Sequence, residues 1–194
     1  RECAYYASKG MVAVSVDYRI EYLHHSTPFD SFEDAKDAIC WLRSHASDYQ
    51  LDPDKIAVAG GSAGGHLAAA LGTIGSDEAV NYRPNLSVLY YPVVDMVSRG
   101  YGFPEIKRDF EKISPIHHVS EATPSTLILL GTKDPIVSVE TIRSYQDKLL
   151  QKGVDCELHL FEGAGHPIFL YRKPLTEDYY KVRKLTDDFL KREG

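Results

Sequence analysis

The chain has 194 residues, a length that one domain accommodates. Its hydrophobic residues (43%) and charged residues (26%) supply a sizeable core and exclude the compositions of disordered or fibrous chains. A net charge of −6, with acidic and basic residues interspersed, argues against nucleic acid or an anionic membrane as the main partner.

Three cysteines, Cys3, Cys40 and Cys156, are odd in number and widely spaced, so neither a disulfide framework nor a metal-ligand pair is expected. No stretch is long and apolar enough to span a membrane. A targeting segment upstream of Arg1 would be invisible, which leaves a cytoplasmic or a secreted location equally open.

Taken in chain order, strands alternate with helices, the pattern of an α/β domain with a parallel sheet. Glu2 to Ser8 reads as the end of a helix closed by Gly10. Met11 to Asp17 is a short β-branched run suited to a buried parallel strand. Apolar residues at 32, 35, 39, 42 and 46 mark a helix stripe over 31–49. Asp52-Pro53-Asp54 is a turn. Ile56 to Gly60 reads as a second strand, and Ala63 to about Ile74 as a small-residue helix. Strands follow at 86–94, 126–131 and 156–161. Ser138 caps a helix that runs to Gly153, and Thr176 caps the last helix. Residues 96–125 break the rhythm as an irregular insert. Tyr101, Phe103 and Phe110 within it either contact substrate or simply pack the insert down. No repeat or linker appears, so residues 1–194 form one domain.

Gly60-Gly61-Ser62-Ala63-Gly64 matches G-x-S-x-G. The match carries weight because a strand precedes it and a helix follows, the context in which such a turn lifts a serine hydroxyl off the strand end. A phosphate-cradling turn is the alternative, but G-x-x-x-x-G-K-[ST] and G-x-G-x-x-G are both absent. A nucleophilic serine needs a base, and the base needs an orienting carboxylate. Asp134 lies just past the strand at 126–131, and His166 just past the strand at 156–161. Parallel strands end on one edge, so Ser62, Asp134 and His166 are expected to converge. Asp95, also past a strand, is the alternative acid. Glu162 is expected to face solvent. His66, one helical turn beyond Ser62, reads as a packed histidine. The pairs His24-His25 and His117-His118 diverge too much for a metal site. The helix that follows Ser62 points its N-terminus, with free N–H groups, at any negative charge that develops there.

The run from Gly60 to Ala68 resembles the nucleophile elbow of the α/β-hydrolase superfamily. It is most similar to hormone-sensitive-lipase-like esterases and the related bacterial acetyl-xylan and feruloyl esterases. Val16-Asp17-Tyr18-Arg19, the helix around Asp34-Ala35-Lys36-Asp37-Ala38 and Trp41-Leu42, the Gly131–Asp134 segment and the Gly165-His166 pair resemble the same branch. The resemblance implies an α/β-hydrolase fold, a mostly parallel sheet with helices on both faces. It implies a serine carboxylesterase that hydrolyses short-chain acyl esters, including acetyl or feruloyl groups on carbohydrate, without cofactor or metal. The expected partner is a small-molecule or carbohydrate ester; no nucleic acid or membrane is expected, and a homo-oligomer stays open. A prolyl-oligopeptidase-type peptidase and a non-catalytic binding module of the same fold are the alternatives. Residues that contact substrate are left unassigned.

Two departures stand out. Many lipase-like members carry Asp before the serine, where this chain has Gly61; this favours the carbohydrate-esterase relatives. The family's H-G-G-G-type segment, which supplies oxyanion donors, is absent from the 194 residues, so the resemblance leaves the Ala63 N–H as the expected donor from this chain. Its strand lies, in the family, between the strand read at 11–17 and the one at 56–60. The expectation is that more chain upstream, or another chain, supplies that strand.

Overall fold

The computed structural model describes residues 2–75, 82–96, 109–169, 171 and 175–193. Among these, four parallel strands form one sheet in the order β1 (Ala57–Gly61), β2 (Leu86–Tyr90), β3 (Ser125–Gly131) and β4 (Cys156–Phe161). Register runs in step across it: Gly61 faces Tyr90, Tyr90 faces Leu129, and Gly131 faces Phe161. All four strands therefore end along one edge, the place where ligand-binding crevices form in open α/β sheets.

The helices α1 (Glu2–Ala7), α2 (Glu21–His24), α3 (Pro28–Ser44), α4 (Ala46–Tyr49) and α5 (Ala63–Thr73) belong to the first part of the chain. Next come α6 (Phe110–Ile113), a 3-10 turn at Pro115–His117, α7 (Val139–Gln151) and α8 (Glu177–Glu193). Alternation along β2 shows how they are layered. Ser87 points at α5, against Gly72, while Tyr90 points the other way and its hydroxyl meets Thr186 of α8 at 3.1 Å. So α5 covers one face and α8 the other. Val88, Leu89 and Leu127 to Leu130 lie buried between them.

Caps set the helix starts. Ser138 Oγ accepts from the Thr141 N–H at 3.1 Å, and Thr176 Oγ1 from the Tyr179 N–H at 3.1 Å, as read from the sequence. Helix α3 starts at Pro28 rather than at Ser31. Thr27 and Asp30 form a reciprocal capping box there, with Pro28 at the first helical position. The expected helix over 31–49 is two helices, α3 and α4, that meet at His45.

One expected element is absent. Residues 11–17 form no strand, and Met11, Val12, Val14 and Val16 are 41–51% exposed. A trough of about 1060 Å³ separates this run from β1. The run has strand propensity, but no strand among the described residues pairs with it, and an isolated strand cannot satisfy its backbone. The five expected strands are thus four among the described residues.

Candidate active site

Ser62 occupies the turn between β1 and α5 with φ 54° and ψ −117°, a conformation that costs free energy for a residue with a Cβ. The close approach of the chain explains Gly60, two residues before it. A Cβ on Gly60 would lie 2.2 Å from the Gly64 carbonyl oxygen. Ser62 is the N-cap residue of α5, yet its side chain makes no cap bond. Its hydroxyl instead lies 2.8 Å from His166 Nε2. Its N–H donates to the Tyr90 carbonyl at 3.1 Å, which ties the turn to the neighbouring strand. Ala63 opens α5, so its N–H is one of the first-turn donors without an acceptor inside the helix.

The loops after β3 and β4 are stitched to each other. Thr132 N–H donates to Phe161 O, Lys133 N–H to Ala164 O, and Gly163 N–H to Thr132 Oγ1, all within 2.8–2.9 Å. Gly131 permits this approach, because a Cβ there would lie 2.3 Å from the Ala164 carbonyl oxygen. The stitching brings Asp134 to His166. Asp134 Oδ1 accepts from the Ile136 and Val137 N–H groups at 2.8 and 2.9 Å, and Oδ2 lies 2.7 Å from His166 Nδ1. The Asp134 side chain is 0% exposed and that of His166 is 14% exposed. A carboxylate can only accept, so Nδ1 carries the proton and donates it; Nε2 is then the acceptor of the serine hydroxyl.

The structure therefore brings together Ser62, Asp134 and His166, which stand 104 and 32 residues apart across the two contacts. The carboxylate on the imidazole is that of Asp134, not Asp95. Glu162 is exposed. His66 is packed, with Nδ1 2.9 Å from the Val93 carbonyl, and burial pushes its pKa down to about 4. No group of three potential metal ligands occurs among the described residues. His24 Nδ1 accepts from the Ile20 N–H at 3.0 Å, His118 Nε2 lies 2.7 Å from the Glu111 carbonyl, and His25 and His117 are exposed. Phe110 packs against the core. Tyr101 and Phe103 fall at 97–108, the part of the expected insert at 96–125 that lies outside the described residues.

Sequence reasoning missed Tyr91, whose ring stands edge-on to the imidazole with centroids 4.7 Å apart. It also missed that Arg19 and Asp34 join two of the motif segments. The guanidinium grips that carboxylate at 2.7–2.9 Å, and the Arg19 N–H adds a bond of 2.8 Å.

Comparison with known proteins agrees with this architecture. Residues 2–106 match the BD-FAE family. Esterase LipC of Mycobacterium tuberculosis is 32% identical over 191 residues, which cover 82% of this chain and 46% of that protein. The acetylxylan esterase of Xylanibacter ruminicola is 25% identical over 190 residues, covering 88% of this chain and 38% of that protein. A thermophilic esterase of Thermogutta terrifontis, Est2, solved with propionate bound, superposes with a TM-score of 0.90 at 36% identity; the match covers all of this chain and 76% of Est2. Est2 has also been solved phosphorylated by paraoxon. The chain spans less than half the length of those two curated relatives.

Proposed function

The chain belongs to the BD-FAE family and has the α/β-hydrolase fold of its esterase neighbours, and from that premise we propose that it is the catalytic portion of a serine carboxylesterase acting on short-chain acyl esters. The observation that carries the reading is the continuous path from Ser62 Oγ through His166 to Asp134, with both hydrogen bonds within 2.8 Å.

The chemistry follows from donors and acceptors. His166 Nε2 takes the hydroxyl proton as Ser62 Oγ attacks the ester carbonyl. Asp134, out of solvent and held by two backbone N–H groups, fixes the tautomer and stabilises the imidazolium as it forms. The Ala63 N–H and the N-terminus of α5 face the developing oxyanion. The imidazolium then protonates the leaving alcohol, water attacks the acyl-enzyme with His166 as base, and the acid departs. The likeness to an acetylxylan esterase supports an acetyl or similarly short acyl group, on carbohydrate among other alcohols. Phosphorylation of Est2 by paraoxon supports a serine nucleophile of the same kind here.

The test is hydrolysis of p-nitrophenyl acetate together with paraoxon labelling read by intact mass. Wild type should gain one diethylphosphoryl group, and Ser62→Ala should gain none and lose turnover. Labelling of Ser62→Ala at the wild-type rate would remove Ser62 from its role. Cleavage of dipeptide amides in place of the ester would redirect the reading to a peptidase.

A further inference from the structure

Tyr91 sits one residue past the end of β2 with φ 40°, in the left-handed region that bulky side chains avoid. Pro92 follows it, and a proline ordinarily pushes its predecessor towards extended backbone. Two hydrogen bonds hold the strained segment. The Tyr91 N–H donates to the Leu129 carbonyl at 2.7 Å, and the carbonyl of Tyr90 accepts from the Ser62 N–H at 3.1 Å. Strain that the surroundings over-determine in this way is a pointer to function.

Tyr91 is buried, and its ring lies between two parts of the candidate site. On one side its centroid is 4.7 Å from that of His166, with the planes at 62°. On the other it fills the space over Gly61, where a Cβ would come within 2.7 Å of Tyr91 Oη and 2.9 Å of Cζ. Gly61 itself lies outside the left-handed region, so its backbone does not demand glycine; the phenol does.

We propose that Tyr91 is a positioning residue, braced against Gly61, whose ring holds the plane of the His166 imidazole so that one nitrogen meets Asp134 while the other meets Ser62. The bond to Asp134 pins Nδ1 at one point and leaves the ring free to swing about it. A rigid wall against the imidazole removes that swing. Misplacement of a reacting group by about 1 Å can cost on the order of 100-fold in rate. The inference rests on the reading of Ser62 as nucleophile, and it gives Gly61 a reason to be glycine that the motif alone does not supply.

The test compares Tyr91→Phe, Tyr91→Ala, Gly61→Ala and the double variant Gly61→Ala/Tyr91→Ala of the full-length protein, with Tyr91→Leu read instead where the alanine variant does not fold. On p-nitrophenyl acetate, Tyr91→Phe should stay within threefold of wild-type kcat. Tyr91→Ala should lose tenfold to a hundredfold in kcat with KM within twofold, and Gly61→Ala should lose by a similar factor. The double variant should be no worse than Tyr91→Ala, because the two changes remove one brace. Multiplying losses, or a raised KM at unchanged kcat, would overturn the positioning role. A second readout needs no turnover: the downfield NMR signal of the Nδ1–H proton shared by His166 and Asp134. It should persist in Tyr91→Phe and broaden by exchange in Tyr91→Ala. An inactive wild type that shows this contrast sinks the esterase reading alone. Wild-type turnover with an unchanged signal and kcat in Tyr91→Ala sinks the positioning role alone.

Discussion

Asp134 is fully shielded from solvent and accepts bonds from two backbone N–H groups and from His166, so its direction is fixed. Asp134→Asn would keep the shape but offer an NH₂ group or a neutral carbonyl to Nδ1, which favours the wrong imidazole tautomer. A loss of about 10³–10⁴ in kcat with the fold retained is expected, read on p-nitrophenyl acetate beside a near-ultraviolet dichroism spectrum. A second residue-scale prediction concerns His66. Burial holds it neutral in the folded chain, with a pKa of about 4, whereas an unfolded histidine titrates near 6.5. Between these values the unfolded chain binds a proton that the folded chain does not, so stability falls as pH drops from about 6.5 to about 4. The whole window amounts to roughly 3 kcal/mol. Urea midpoints at pH 7 and pH 5 should separate more for wild type than for His66→Gln; equal separations would show that His66 does not drive the acid sensitivity. The convergence of Ser62, Asp134 and His166 was legible because each follows a strand and glycines mark the turns. Tyr91 was not: a positive φ on a tyrosine leaves no compositional trace, and the proline after it argues for the opposite conformation.

Among the elements, what positions chemistry is the seam between the loops after β3 and β4. The seam depends on Gly131, whose missing Cβ lets the Ala164 and Gly165 carbonyls approach. Gly131→Ala should push these loops apart and lengthen the path from Asp134 to His166. We expect at least a tenfold fall in kcat with far-ultraviolet dichroism unchanged, since no helix or strand needs to be lost to relieve the contact. The sequence showed that a glycine closes β3, but not that a second loop presses on it, because that contact joins residues 33 apart. The elements themselves were largely readable. Strand β4 and the caps at Ser138 and Thr176 stand where periodicity and capping chemistry put them. The start of α3 differed because the box made by Thr27 and Asp30 outweighs the apolar stripe that begins at Phe32. The run 11–17 differed for another reason. Strand propensity measures how a residue fits a pleated surface, and among the described residues no such surface pairs with this run.

At the scale of the whole molecule, β1 is an edge of the described sheet, paired with β2 on one side and open to the trough on the other. An edge strand presents a row of N–H and C=O groups that can template pairing. Across the trough, Met11, Val12, Val14 and Val16 leave apolar side chains in water. With 41–51% of each residue exposed, each forgoes on the order of 1 kcal/mol of burial, and the four together about 4 kcal/mol. Set against a typical total stability of 5–15 kcal/mol, that shortfall is large. The geometry also bears on rate. Of the described donors, the Ala63 N–H is the one we assign to the oxyanion, and removing one such donor from a complete hole costs about 2.7–4 kcal/mol in known serine hydrolases. Residues 1–194 alone should therefore bind a hydrophobic dye such as ANS, melt broadly, associate with concentration and turn over esters slowly. Val14→Lys should weaken association and dye binding together, because it charges the wall of the trough without touching Ser62, Asp134 or His166. A monomeric chain with a sharp melt, no dye binding and rapid turnover would show that the open side of β1 needs no further strand.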